Sequence, residues 1–217
     1  MSNLRTGTYG QYYGSYYNES VALGTAEKEQ NAHYIYSYLI DKGWSLNAIC
    51  GLLGNMEHES ALNPGRWQSN KVNNTSGGYG LVQWTPATKY MNWCTNTGRG
   101  DPSEMDNNLA RIIYELENGV QYAKTSSYPL TFKQFAVSNE SPYYLACAFA
   151  WNYERSYTVL YGSEESKEAL RQKRGGSANK WYTFLSGMEP EEPGSGGSEY
   201  HKKKGLSLLM MYIATKR

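Results

Sequence analysis

The sequence predicts a mainly α-helical fold with one small β-hairpin. Apolar residues recur at the three- and four-residue spacing of helices through most of the chain between residues 26 and 185. One glycine- and asparagine-rich segment, residues 74–84, interrupts that periodicity with turn residues and a short alternating run. The chain has 217 residues, of which 40% are hydrophobic, and this is enough for one globular domain with short appendages.

The N-terminal residues 1–24 are rich in glycine and tyrosine and low in aliphatic side chains. They lack the basic and apolar regions of a signal peptide, so we interpret them as an extended arm that orders against a partner subunit. A floppy terminus is the alternative. The first helix is predicted over residues 26–42, and Gly43 ends it.

The second helix begins after Ser45, whose hydroxyl can accept a hydrogen bond from an early backbone N–H. It stops before Asn63-Pro64, because a proline pushes the preceding residue out of helical geometry. Four apolar residues recur at helical spacing between these signals and form one stripe: Ile49, Leu52, Leu53 and Met56.

Glu59 falls on the flank of this stripe, in the last turn of the helix. We therefore expect its carboxyl at the boundary between core and cleft. Partial desolvation there helps a carboxyl to keep the proton that a general acid donates. Glu57 falls on the opposite flank, and His58 points away from the stripe. The alternative is that both glutamates are solvated residues near a helix end.

The next segment has the composition of a sugar-binding surface. Residues 60–100 contain no Asp or Glu. Amide side chains lie between aromatic residues, and such rings can stack on sugars while amides bind hydroxyl and N-acetyl groups. The aromatic residues are Trp67, Tyr79, Trp84, Tyr90 and Trp93. Packing in the core is the alternative for these rings, for Trp84 especially.

Within this segment, residues 74–78 have hairpin-turn chemistry and residues 79–84 alternate like a short strand. We expect the hairpin to form one wall of a cleft. Its backbone amides, together with the side chain of Gln83, are candidates for holding N-acetyl groups. The residues that supply these amides are Gly77, Gly78, Tyr79 and Gly80.

Further helices are predicted over residues 87–97, 103–118, 131–137, 141–151 and 164–185. Ser103, Thr131 and Ser141 are the expected caps of three of them. Three acidic residues fit the favoured negative charge at the start of helix 103–118, namely Asp101, Glu104 and Asp106. Three basic residues of the last helix are interpreted as a solvated face: Arg171, Lys173 and Arg174.

The helix that begins at Ser141 ends in a polar run that can face the cleft. Tyr153 and Glu154 are therefore candidates for contact with substrate. The alternative for Glu154 is a buried partner of Arg155 or of another base.

Several of these residues together resemble a known signature. Glu59-Ser60, then Asn63-Pro64, then the block from Gly77 to Trp84 is similar to goose-type lysozymes and lytic transglycosylases. The closer resemblance is to the phage tail lysozyme family, the peptidoglycan-degrading domains on the tail tips of short-tailed phages. It covers residues 28–187 and includes the later Tyr153-Glu154-Arg155, although this chain has Ser156 where the family often has proline.

The resemblance implies a lysozyme-like α+β fold over residues 25–187, with Glu59 as the catalytic acid. It implies cleavage of the bond between N-acetylmuramic acid and N-acetylglucosamine in the host cell wall during genome entry. The protein is then expected in the virion, at the tail tip or knob. Its expected partners are bacterial peptidoglycan and, through the terminal arms, other phage tail proteins. Two alternatives stay open: a lytic transglycosylase, or a non-catalytic wall-binding tail protein.

The identity of a second catalytic group is left open by the residues. Two-carboxylate glycosidases place a second acid across the sugar, and the segment after Glu59 offers none. Either a remote acid such as Glu154 or Asp101 positions water, or Glu59 works nearly alone.

Other classes of function find little support. Three cysteines and three histidines are too few and too scattered for a zinc motif, and no nucleophile elbow occurs, so we expect no metal and no cofactor. The odd number of cysteines, each in an apolar helix, predicts reduced and buried thiols. A formal net charge of +1 argues against a general nucleic-acid binder.

Two C-terminal segments follow the helices. Residues 188–199 are rich in Pro, Gly and Ser and are interpreted as a linker. Residues 200–217 form a basic and then apolar tail, whose apolar run is much shorter than the ~20 residues of a membrane helix.

Overall fold

The computed structural model describes residues 3–14 and 23–194 of the chain. These residues form one two-stranded antiparallel hairpin followed by helices. The strands are β1 (Asn3–Gly7) and β2 (Gly10–Gly14). The α-helices are α1 (Thr25–Asp41), α2 (Leu46–Ser60), α3 (Thr88–Asn96), α4 (Met105–Asn118), α5 (Phe132–Ala136), α6 (Pro142–Phe149), α7 (Tyr157–Tyr161) and α8 (Glu164–Leu185). The predicted fold class, mainly α with a small β-hairpin, is confirmed.

The sequence signals for helix ends are confirmed in most places. The hydroxyls of Ser45, Thr131 and Ser141 each accept a hydrogen bond from a backbone N–H three residues later, at 3.1–3.2 Å. Ser103 is the exception, because α4 starts at Met105 with Glu104 in the capping position. The Ser103 hydroxyl instead bonds the Asp101 carboxylate at 2.8 Å.

The centre of the fold is α2, which packs against both α6 and α8. Its glycines make this close packing possible. A Cβ added to Gly51 would lie 2.8 Å from the Leu145 Cβ of α6, and one added to Gly54 would lie 2.6 Å from the Arg174 carbonyl oxygen of α8. Since real Cβ atoms do not approach other atoms so closely, α2 can contact both neighbours only with glycine at these positions.

The hairpin lies where the sequence predicted an extended arm. Its Tyr12 is fully buried, and the Tyr12 hydroxyl donates to Glu104. Arg5 binds the same carboxylate at 2.6 Å and Asp101 at 3.2 Å. On the other side, the Asn31 side chain of α1 bonds both backbone groups of Tyr13 in β2. The acids before α4 therefore hold the hairpin in place, a role that the helix-dipole interpretation missed.

The glycine-rich segment does not form the predicted hairpin. Residues 74–84 consist of turns, with isolated bridges of Tyr79 to Trp67 and to Trp84. Gln83 has a positive φ of 50°, which breaks the alternation that a strand requires. The prediction of turns in this segment is confirmed, whereas the prediction of paired strands is wrong.

The expected linker starts later than its composition suggests. Within residues 188–194, Met188 is buried, and the Glu191 N–H donates to the Ser37 hydroxyl of α1 at 2.8 Å. The Gly194 N–H donates to the Thr8 carbonyl at 2.8 Å. The interpretations of residues 15–22, of the rest of the linker and of the tail 200–217 lie outside the described residues.

Two further sequence expectations concern cysteines and membrane segments. Cys50, Cys94 and Cys147 are buried free thiols, as predicted. Burial raises the pKa of the Cys147 thiol to about 11, so it stays protonated at neutral pH. None of the helices in residues 3–14 and 23–194 has the length and apolarity needed to cross a bilayer.

The packing of α2 on α8 gives a test. Gly54→Ala should lower the free energy of unfolding by about 2 kcal/mol, since a methyl group would press on backbone atoms that cannot rotate away. Gly176→Ala on the exposed face of α8 is the matched control. It meets nothing within 4 Å and should stabilise by about 0.5–1 kcal/mol through helix propensity. Urea unfolding measures both, and equal stability of Gly54→Ala and wild type would contradict the close-packing argument.

Candidate active site

A cleft of about 480 Å³ lies beside the C-terminal end of α2. Glu59 comes from α2, and Trp67 and Gln83 come from the turns that follow it. Tyr153 and Glu154 come from a π-helical turn, Ala150–Glu154, that continues α6. The cleft thus brings together these five residues, each of which the sequence predicted to be catalytic or to bind substrate.

Glu59 lies at the boundary between core and cleft, as its position on the helix predicts. Its side chain is 21% exposed, and its Oε1 accepts a hydrogen bond from the Arg174 guanidinium. Arg174 also donates to the Asn55 carbonyl at 2.8 Å and is itself buried. The interpretation of Arg174 as part of a solvated face was therefore wrong. It lies under the cleft and forms an ion pair with the candidate acid.

The other two residues in that turn of α2 face α8 as well. Glu57 accepts from the Trp181 indole N–H at 3.0 Å. His58 lies 2.9 Å from the Ser177 hydroxyl and is half-buried, which corrects the expectation that it points outward. Burial lowers the pKa of His58, so the imidazole is neutral at pH 7.

Glu154 is the second carboxyl of the cleft. Its Oε1 is buried without a hydrogen-bond partner among the described residues. Burial is the main cause that raises its pKa well above the usual value, and the neighbouring Glu59 carboxylate raises it further. Arg155 points elsewhere and donates to the Gln121 carbonyl at 3.2 Å. Burial and the neighbouring Glu59 therefore favour the protonated form of Glu154, which has no ion pair with Arg155.

The π-helical turn explains why Tyr153 and Glu154 reach the cleft. Its wider winding shifts the side chains relative to an α-helix, and such turns are frequent at functional sites. The Arg155 N–H closes it on the Ala150 carbonyl at 2.9 Å. Asn152, fully buried, secures it by accepting from the Thr125 backbone at 3.0 Å and donating to the Tyr128 carbonyl at 2.8 Å.

A buried carboxylate, Glu115 of α4, supports one side of the cleft from behind. It accepts hydrogen bonds from the Trp84 indole at 3.1 Å, from the Tyr153 hydroxyl and from the Arg111 guanidinium at 2.9 Å. Burial raises its pKa, and the bonds from Tyr153 and Arg111 oppose that rise. Because Trp84 and Tyr153 both line the cleft, Glu115 fixes the spacing of two of its aromatic residues.

The glycine-rich turn does not offer the amides that the sequence suggested. All four backbone N–H groups donate within the protein: Gly77 to Asn74 O, Gly78 to Gln68 Oε1, Tyr79 to Trp84 O and Gly80 to Arg66 O, at 2.8–3.2 Å. Tyr79 is also buried, with its ring centroid 4.6 Å from that of Trp67. These four residues shape the turn and lie outside the cleft lining, so their assignment as donors to N-acetyl groups is corrected.

Gln83 lines the cleft, but its side-chain nitrogen is used internally. It donates to the Gly80 carbonyl at 2.9 Å and to the Arg66 carbonyl at 3.1 Å. Ser60, the residue after Glu59, joins this turn to α2 through a 2.9 Å hydrogen bond to the Leu81 carbonyl. The Glu-Ser pair therefore combines a cleft carboxyl with the hydrogen bond that holds the opposite segment in place.

Several residues of the site or its support were not predicted from the sequence, among them Arg66, Lys89, Glu115 and Arg174. Glu115 alone carried a signal, since it follows Ile112 by three residues on the apolar face of α4. Asp101, one of the two remote acids considered, is bound to Arg5 of the hairpin and does not line the cleft.

The sequence matches the phage tail lysozyme family over residues 30–185, which is more than half of the chain. The chain belongs to this family. It is also 41% identical, over 172 residues, to Morphogenesis protein 1 of Bacillus phage B103. That match covers 79% of this phage tail lysozyme chain and 44% of the relative, so the chain spans less than half the length of that protein.

Within residues 3–14 and 23–194, no three His, Cys, Asp or Glu side chains come together as a metal site requires.

The environment of Glu154 predicts a pH-dependent stability. Above pH 4.5 the unfolded chain releases the Glu154 proton, whereas the folded protein keeps it. Its contribution to stability is thus complete below that pH and is lost as pH rises toward the folded pKa. Relative to Glu154→Gln, the free energy of unfolding of wild type should fall as the pH rises above 4.5, by at most about 1.4 kcal/mol per pH unit.

Urea unfolding at several pH values measures this difference. Glu165→Gln, at an exposed position of α8, is the matched control and should follow wild type at every pH. Parallel curves for wild type and Glu154→Gln would show that Glu154 is ionised in the folded protein.

Proposed function

We propose that this phage tail lysozyme cleaves the glycosidic bond between N-acetylmuramic acid and N-acetylglucosamine in bacterial peptidoglycan, with Glu59 as general acid. The observation that carries the proposal is the partly exposed position of Glu59 in a cleft that also holds Glu154, whose pKa burial raises. Trp67, Gln83 and Tyr153 supply the ring faces and polar groups that suit a sugar chain.

The difference in solvent exposure between Glu59 and Glu154 supports Glu59 as the carboxyl that donates the proton. The Glu59 side chain is open to the cleft, whereas Oε1 of Glu154 is closed off from solvent. A glycan in the cleft displaces water from Glu59, and the proposed reaction uses the protonated form of this carboxyl. Glu59 then gives its proton to the bridging oxygen as the bond from that oxygen to the sugar C1 breaks.

Arg174 acts as Glu59 loses its proton. The developing carboxylate already has a guanidinium partner fixed by the Asn55 carbonyl, so no rearrangement is needed to stabilise the new charge. Glu154 supports this step by remaining neutral, because a second negative charge beside Glu59 would oppose proton release. Arg174 and Glu154 are therefore positioning residues.

The second step restores Glu59. Its carboxylate takes a proton from water as that water attacks C1, which gives a reducing sugar end and regenerates the acid. In the alternative reaction, the 6-hydroxyl of the muramic residue attacks C1 and gives an anhydro end. We propose the water route, which the family's lysozyme character favours.

The family and the phage relative support a virion-associated protein. We propose a position at the tail tip or knob, where wall cleavage would serve genome entry. Other tail proteins are the proposed partners of the terminal segments.

The turbidity of detergent-washed cell-wall suspensions tests the role of Glu59. Wild type should clear them, and Glu59→Gln should lower the rate by about 100-fold or more, because the amide has no proton to donate. Glu57→Gln, two residues away and facing α8, is the matched control and should clear at close to the wild-type rate. Equal clearing by wild type and Glu59→Gln would remove Glu59 from the mechanism, and no clearing by any form would favour a wall-binding tail protein.

The variant Glu154→Gln distinguishes the roles of the two carboxyls. A neutral amide resembles the neutral acid, so this variant should keep its activity within about tenfold of wild type. A loss as large as that of Glu59→Gln would assign the proton transfer to Glu154.

Mass spectrometry of the released muropeptides distinguishes reducing ends from anhydro ends and so decides between hydrolysis and transglycosylation.

A further inference from the structure

A second groove lies directly beside the cleft. It measures about 540 Å³ and follows the exposed side of α3. Lys89 lines both the groove and the cleft, so the two depressions are neighbours at this residue. Asn92, Asn96 and Tyr114 extend the lining away from the cleft. From Lys89 to Asn96 the helix makes two turns, which corresponds to about 10 Å of additional surface.

The lining of the groove suits a sugar chain. Side chains of Asn and Thr surround the rings of Trp93 and Tyr114, whose centroids lie 5.6 Å apart. Asn92 and Asn96 are exposed, so their side-chain amides are available to a ligand, whereas the Thr97 hydroxyl donates to the Trp93 carbonyl at 2.6 Å. The Trp93 indole N–H is buried, so the groove presents other parts of the Trp93 side chain to a ligand.

Positive charge lies around the same rings. The Arg99 guanidinium is 4.9 Å from the centroid of Trp93, and that of Arg111 is 5.4 Å from Trp93 and 5.1 Å from Tyr114. None of the residues described as lining the groove is an Asp or Glu. Arg111 is buried and paired with Glu115, so Lys89 in the lining and Arg99 beside it supply the positive charge of this surface. Peptidoglycan strands carry carboxylates on their peptide stems, or on their muramic residues once the stems are removed, and these groups are attracted to such charges.

We propose that the α3 groove is an extension of the cleft that binds N-acetylated sugars of the same glycan strand, beyond those at the bond that is cut. This inference rests on the proposed function. Its consequence is a preference for long strands, because a short oligosaccharide fills the cleft without reaching Asn92 and Asn96. Binding remote sugars lets the enzyme use their interaction energy to hold the strand in place.

Activity on long and short substrates tests the groove. The double variant Asn92→Ala/Asn96→Ala and the variant Tyr114→Ala should raise KM for amidase-treated peptidoglycan strands by about fivefold or more. Their kcat, and their kcat/KM on short oligosaccharides of the same sugars, should stay within about twofold of wild type. Equal losses on short and long substrates, or no loss on either, would overturn the inference.

Matched controls come from α8, away from both depressions. Asn179→Ala controls for the two asparagine changes, and Tyr182→Ala controls for Tyr114→Ala, since these tyrosines are 39% and 37% exposed. Neither control residue lines the cleft or the groove. Both controls should behave as wild type on strands of every length.

A binding measurement separates this inference from the proposed function. In the Glu59→Gln background, co-sedimentation with insoluble peptidoglycan should weaken by about fivefold or more when Asn92 and Asn96 are replaced by alanine, and not when Asn179 is replaced. Unchanged binding would refute the groove while leaving the assignment of Glu59 intact. Full activity of Glu59→Gln would refute that assignment while leaving the binding result for the groove standing.

Discussion

The close contact of α2 with α6 and α8 is the constraint on which the rest of the structure depends. Gly51 and Gly54 remove the side chains that would hold these helices apart. Through the first contact α6 is placed so that its π-helical continuation brings Glu154 to the cleft, and through the second α8 is placed so that Arg174 reaches Glu59. Two carboxyls and one guanidinium, far apart in sequence, are thus brought together by the absence of two side chains.

Two effects limit unpaired charge in the cleft. One is ion pairing, and the other is burial, which favours the neutral form of a carboxyl. Arg174 has the Glu59 carboxylate as its ionic partner, and Glu154 avoids a net negative charge by keeping its proton. Glu115, also buried, is held by three donors that approach from the cleft side and from its own helix. Each buried carboxyl is therefore either paired, neutral or surrounded by donors, as burial of charge requires.

The sequence predicts features that depend on neighbouring residues and misses contacts between residues far apart in the chain. Helix ends could be predicted because Ser45, Thr131 and Ser141 act on amides three residues away. Glu59 could be placed at the cleft because its angle to the apolar stripe follows from helix geometry. Arg174, 115 residues further along, had no local pattern to distinguish it from its solvated neighbours. The N-terminal hairpin was missed because its core is made of tyrosines, Tyr9 and Tyr12, which pack on tyrosines of α1 rather than on aliphatic residues.

The attachment of the hairpin also links the start of the chain to the cleft. Arg5 of β1 binds Glu104, whose carbonyl accepts from the Asn108 side chain at 3.0 Å. The Oδ1 atom of Asn108 in turn accepts from the Leu81 N–H at 2.9 Å, in the turn that Ser60 ties to α2. A pull on the N-terminus would therefore act directly on α1, which Asn31 joins to β2, and along this series of bonds on the segment facing Glu59.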